Sequence, residues 1–144
     1  MLKLVVFSPP YNKSLFYQKM GKFFAESFYR RKFPYLINNS KTTWYILIDQ
    51  KSEVRGFISY EDKKKSVFIG EIYVSEKIDV ERYRTFLLNK ILFDLKKRNC
   101  CLLKTAVRCE NEKILYQEKN FYVYKQTKNY SFLMLEREKI EEKN

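Results

Sequence analysis

The chain has 144 residues and a formal net charge of +12, from 29 Lys and Arg against 17 Asp and Glu. Its 45% apolar content is that of a folded domain with a core, not of a disordered chain. It contains no histidine, which excludes Ser–His and Cys–His nucleophile systems and leaves zinc without its usual nitrogen ligand.

Leu2 to Phe7 reads as a buried strand, stopped by Ser8-Pro9-Pro10 because proline lacks a ladder donor and restricts its neighbour. A helical region follows from about Tyr11 to Arg31, with Phe16, Met20, Phe23, Phe24 and Phe28 on one apolar stripe. Pro34 and the Asn38-Asn39-Ser40 cluster end it. Thr43 to Asp49, Val54 to Tyr60 and Ser66 to Val74 are rich in strand formers and separated by short polar turns, the pattern of an antiparallel meander. In the third strand, strict alternation puts Phe68, Gly70, Ile72 and Val74 on one face and Val67, Ile69, Glu71 and Tyr73 on the other. Tyr83 to Lys97 is a helix whose buried stripe is Phe86, Leu87, Ile91 and Leu95, widened by Leu88 and Leu92. Cys100 to Val107 is a strand, Asn111 to Lys119 a short helix, and Phe121 to Lys125 and Tyr130 to Leu135 are the last two strands. The charged tail from about residue 137 is expected to fray. With three glycines in the whole chain, positive-φ positions must be few or must fall on Asn and Asp.

The order β, helical region, β-β-β, α, β, α, β, β implies one domain over residues 1–144. Its class is α/β (α+β), a mixed, mostly antiparallel sheet of about six to seven strands flanked by helices. Two segments, IYV with its following basic loop and helix YRTFLLNKILFDLKKR, and LYQEKNFYVY, give this order a resemblance to the GNAT superfamily of N-acetyltransferases. LYQEKNF is similar to that family's LYEKxGF signature.

The resemblance implies acetyl-CoA as co-substrate, no metal, and direct transfer of an acetyl group to an amine in a ternary complex. The family's pyrophosphate loop, Gln/Arg-x-x-Gly-x-Gly/Ala, falls on Asp79 to Arg84, with Arg82 and Arg84 at the glycine positions and Asp79 at the basic one. Arg82, Tyr83, Arg84 and Thr85 are therefore the expected phosphate-binding segment, with guanidinium forks in place of close backbone approach. Backbone groups near Tyr73 and Val74 would hold the thioester arm. Cys109 aligns with a family asparagine that often contacts the cofactor, and Asn111, two residues on, could substitute for it only with a shifted helix start.

Tyr116 occupies the position of the family's proton donor to the departing thiolate, with Asn120 replacing the signature glycine. The plainer interpretation is a buried tyrosine with a satisfied hydroxyl. Glu71 matches a strand-borne base that some family members use, or else is a solvated residue on an open strand face. Two other interpretations stay open. One is a catalytically silent domain of the same fold, binding a protein or nucleic acid through a basic surface. The other is a nucleic-acid binder of unrelated fold that stacks bases on Tyr122, Tyr124 and Tyr130.

The amine-bearing acceptor, small molecule or protein, is not specified by the sequence; neither is the choice between monomer and homodimer. An anionic partner, nucleic acid included, is consistent with the charge. No apolar run approaches the roughly 20 residues of a membrane span, and the start lacks a signal-peptide pattern, so a cytoplasmic protein without membrane contact is expected. The odd count of three cysteines, two of them adjacent, argues against a disulfide framework, and Cys100 and Cys101 read as small core residues.

Overall fold

Trp44 to Ile48 carry two cores at once. The computed structural model describes residues 1–98 and 102–137. In it the strand β2 (Thr42–Ile48) is buried along its whole length. Tyr45 and Leu47 point to one side of the sheet, into a core with Ile58, Leu87, Leu88, Ile91 and Leu95. Trp44, Ile46 and Ile48 point to the other, into an aromatic core with Phe16, Met20, Phe23, Phe33 and Phe57. A period of two on a strand covered on both faces requires an unbroken apolar run, and WYILI, after two buried threonines, is one.

The order is β1 (Lys3–Phe7), α1 (Lys13–Ala25), α2 (Ser27–Lys32), β2, β3 (Val54–Asp62), β4 (Val67–Ile69), β5 (Tyr73–Val74), α3 (Val80–Lys96), β6 (Leu102–Val107), α4 (Glu110–Glu118), β7 (Tyr122–Gln126) and β8 (Ser131–Glu136). The sheet runs β1-β2-β3-β4-β6-β8-β7, with β5 also paired to β3. Every pairing is antiparallel except β4 with β6, which the α3 crossover joins in parallel. The mixed sheet with helices on both faces is the architecture the sequence implies. It has eight strands, not six to seven, because SVFIGEIYV divides in two.

That division corrects the strict alternation expected there. Ile69 faces Tyr60 on β3, but Tyr73 faces Phe57, so one extra residue sits on the β4–β5 side. This is a β-bulge, and it flips the faces. Val67 and Ile69 share a core with Ile72 and Val74, while Tyr73 turns to the aromatic core. Phe68 is therefore not on the Ile72 face, and Glu71, inside the bulge, leaves the regular alternation. Gly56 on β3 accommodates β5: a Cβ there would lie 2.8 Å from the Tyr73 carbonyl oxygen. Gly56→Ala is expected to cost about 1–3 kcal/mol, checked by chemical denaturation.

Other departures have local causes. The helical region breaks at Glu26, which is extended (φ −77°, ψ 135°), so Phe28 starts a second axis and is exposed. Phe86 is also exposed; the buried positions of α3 are Leu87, Leu88, Ile91 and Leu95. The first strand is a half-exposed edge, not a buried strand. Positive φ outside glycine occurs at Ser52 and Asn120 among the described residues. Cys100, Cys101 and the tail beyond residue 137 lie outside the described residues.

Candidate active site

The bulge and the crossover together open the sheet. β4 and β6 pair from Val67–Leu103 to Ile69–Thr105. Beyond that point β5 follows β3 while β6 follows β8, and the two diverge. Between them lies a cleft of about 240 Å³, lined by Glu71, Tyr73, Val74, Arg84, Glu112 and Tyr116, with Arg108 and Lys32 at its edge.

Tyr116 reaches this cleft because α4 ends abruptly behind it. Phe121 N–H donates to the Tyr116 carbonyl at 3.1 Å and Asn120 N–H to the Gln117 carbonyl at 3.0 Å. Asn120 has φ 73°. This is a Schellman cap, with asparagine in the left-handed position that glycine usually fills. It brings Phe121 edge-on to the Tyr116 ring, centroids 5.1 Å apart. The phenol is 1% exposed, yet among the described residues its hydroxyl has no hydrogen-bond partner. Thr105 stands beside it, its own hydroxyl donating to the Ile69 carbonyl at 2.9 Å. An unpaired buried hydroxyl costs about 1–3 kcal/mol, and Thr105, whose hydroxyl oxygen keeps a free lone pair, is the side chain placed to accept from it. Burial holds the phenol well above its ordinary range; Thr105 eases this, and Glu112 and Glu71 add to it.

Glu71 is not on an open face. Burial pushes its carboxyl up to about 7, against the pull of Arg108 and with a further push from Glu112. Glu112, in the first turn of α4, is itself raised by burial, opposed by Arg84, Arg108 and Lys32. A carboxyl poised near neutrality can accept a proton at physiological pH. Arg108 is anchored by donating to the Lys32 carbonyl. Arg108 and Glu112 do not stand out in the sequence. Their one signal is position: Arg108 directly follows the β6 strand and Glu112 lies in the first turn of α4.

A second groove, about 200 Å³, runs between α3 and α4 and is lined by Arg84, Thr85, Asn111 and Ile114 together with the acids Glu81 and Glu118. Arg84 thus lines both spaces, and its Nε is buried without a partner among the described residues. The structure brings Glu71, Tyr73, Val74, Arg84 and Tyr116 together in the cleft and places Thr85 and Asn111 in the adjoining groove. Arg82 and Tyr83 line neither: Arg82 is exposed, its guanidinium 5.4 Å from the Tyr83 ring centroid. Asp79 caps α3, its carboxylate accepting from Arg82 N–H at 3.2 Å, and Glu81 adds a second acid in the first turn. Cys109 is exposed and caps α4, its Sγ accepting from Glu112 N–H at 3.4 Å.

No protein-family model matches this sequence, and no curated protein matches it. Solved structures do match. An acyl-CoA N-acyltransferase from Pseudomonas aeruginosa superposes with a TM-score of 0.74 at 10% identity, over 94% of this chain and 99% of its own. An acetyltransferase of the GNAT family from Staphylococcus aureus Mu50 gives 0.67 at 12% identity, over 94% and 100%. The Campylobacter jejuni N-acetyltransferase PseH, solved in complex with acetyl coenzyme A, gives 0.58 at 20% identity, over 96% and 100%. The fold is that of the GNAT N-acyltransferases, as the resemblance implies. No helix among the described residues is long and apolar enough to cross a membrane.

Proposed function

We propose that this chain, as a single domain, is an acetyl-CoA-dependent N-acetyltransferase that transfers directly to a primary amine, with Glu71 as base and Tyr116 as acid. The observation that carries this is the unpartnered, buried Tyr116 hydroxyl in a cleft that also holds a carboxyl titrating near 7. Structural residues rarely leave such a hydroxyl unpaired; a ligand group would satisfy it.

Acetyl-CoA supplies an acetyl group on a thioester, and its thiolate is the leaving group. Tyr73 and Val74, on the β5 side of the splay, offer backbone groups to the thioester arm. Arg84, half-buried, offers a cation to its phosphates, with Thr85 and Asn111 along the groove and Glu81 and Glu118 in the same wall. The α3 N-terminus itself fits an anion less well, since Asp79 and Glu81 already oppose the positive end of the helix. Arg84 therefore carries the charge recognition that glycine amides carry elsewhere in the family. On attack a nitrogen–carbon bond forms and the carbon–sulfur bond breaks. Glu71 takes the proton that nitrogen loses, and Tyr116 gives its proton to sulfur. Return of the proton from Glu71 to Tyr116 restores the site and leaves an amide and a free thiol.

Two results follow. Free thiol should appear from acetyl-CoA only when an acceptable amine is added; release in no amine series would contradict the assignment. Arg84→Ala should weaken acetyl-CoA binding about 10-fold or more, as loss of a charge-assisted contact does. Arg82→Ala should leave it within about two-fold, because Arg82 lies outside both spaces. Equal losses would refute the asymmetry.

The acids at the α3 N-terminus favour one competing interpretation, a silent domain of this fold whose basic surface binds an anionic partner. It leaves the orphan hydroxyl unexplained.

A further inference from the structure

A separate cavity of about 290 Å³ lies on the far side of Glu71, lined by Tyr35, Phe68, Ala106, Tyr130 and Phe132 together with Glu71 itself. An apolar cavity of about 150 Å³ holds benzene, so this one has room for a ring and a short chain. Tyr35, from the segment after α2, meets Tyr130, from the β7–β8 turn, edge to face with centroids 5.7 Å apart. Tyr130 in turn lies 6.3 Å from Phe132. Among the described residues Glu71 is the one charged side chain in the lining, while Arg108 and Lys125 lie over the Tyr130 and Phe132 rings at 6.0 and 5.3 Å. Gly70, Glu71 and Ala106 line both this cavity and the central cleft. The wall between them is therefore made by a residue with no side chain, one with a methyl group, and the carboxylate.

We propose that this cavity is the acceptor pocket and that its substrate is a small primary amine carried on an aromatic or similarly flat apolar body. This rests on the transferase assignment above. The rings take the body of the substrate, and aromatic faces also favour an ammonium. Glu71 meets the nitrogen at the shared wall. There the nitrogen, once neutral, forms its bond to the acetyl carbon as the carbon–sulfur bond breaks. Its proton goes to Glu71, and sulfur takes the Tyr116 proton. A polyamine would meet one carboxylate where it needs several. The groups facing Glu71 from neighbouring elements are Arg108 at the end of β6, Glu112 and Tyr116 on α4, and Tyr130 before β8. Arg108 sits over the Tyr130 ring at 6.0 Å, where it disfavours a second positive charge on the substrate.

The test is direct binding of 2-phenylethylamine to the full chain, by calorimetry or saturation-transfer NMR, beside n-butylamine, spermidine and a tripeptide with a free α-amine. The expected result is at least about 10-fold tighter binding of 2-phenylethylamine than of the other three. Tyr130→Ala should weaken it about 10-fold. Tyr35→Ala, at an exposed residue outside the sheet, should do the same without disturbing the fold. Equal binding of all four amines, preference for spermidine or the peptide, or indifference to both tyrosine variants overturns the pocket. Thiol release separates the two levels. If 2-phenylethylamine binds through the tyrosines and neither it nor any other amine releases thiol from acetyl-CoA, the transferase assignment fails and the pocket stands. If only spermidine or the peptide releases thiol, the pocket assignment fails and the transferase stands.

Discussion

Tyr116→Phe is expected to lower kcat about 10²–10³-fold, leave acetyl-CoA affinity nearly unchanged, and raise stability by about 1 kcal/mol. The opposite signs come from one atom. The ring keeps its edge-on packing with Phe121 in the variant, so no cavity forms. What is removed is a buried hydroxyl with no partner among the described residues, which costs stability in the free protein. With substrate bound, the same hydroxyl is the proton source for the departing thiolate. Single-turnover thiol release and chemical denaturation on the same preparation check both signs. Loss of stability together with loss of activity would mean that the hydroxyl was a satisfied structural group. Unchanged kcat would remove it from the chemistry.

Glu71→Gln is expected to lower kcat/KM by about 10²-fold or more at pH 8 and to flatten its pH profile. The carboxylate is the active form, and its pKa is raised from an ordinary 4.5 to about 7. In the wild type kcat/KM, expressed per neutral amine, should therefore rise about ten-fold per pH unit below pH 7 and level off above it. The stability linkage runs the other way. Between 4.5 and 7 the folded state binds more protons than the unfolded one, so stability is lost as pH rises through that window. Each pH unit of the window corresponds to about 1.4 kcal/mol. Discounted for partial contact with water, the variant should be about 1–2 kcal/mol more stable than the wild type above pH 7. A pH profile that keeps its inflection near 7 in the variant would assign that titration to another group, Glu112 being the nearest in kind.

The long-range order of the fold was legible because its signals are periodic: alternating runs for the meander, a 3.6-residue stripe for α3, and the turn chemistry of LYQEKNF, where Asn120 does adopt the left-handed cap. The bulge was not. IGEIYV reads as uninterrupted strand, and only pairing against β3, with Tyr60 opposite Ile69 and Phe57 opposite Tyr73, reveals the extra residue. For the same reason Glu71 could be picked out from its motif but not oriented. Alternation puts it beside Ile69, and the bulge puts it between two cavities. The break at Glu26 carries no proline or glycine, so a single helix was the natural expectation. The aromatic cavity was illegible for a different reason. Tyr35 and Tyr130 come from distant loops, and nothing local in either segment announces the other. Arg82 and Arg84 are alike in sequence; helical geometry turns one to solvent and the other into the cleft.

The most direct test of the transferase assignment is calorimetric titration of acetyl-CoA into protein freed of bound cofactor. One site with a micromolar dissociation constant, weakened in Arg84→Ala, is the expected result. No heat of binding at millimolar acetyl-CoA would contradict it and leave the fold serving a basic surface.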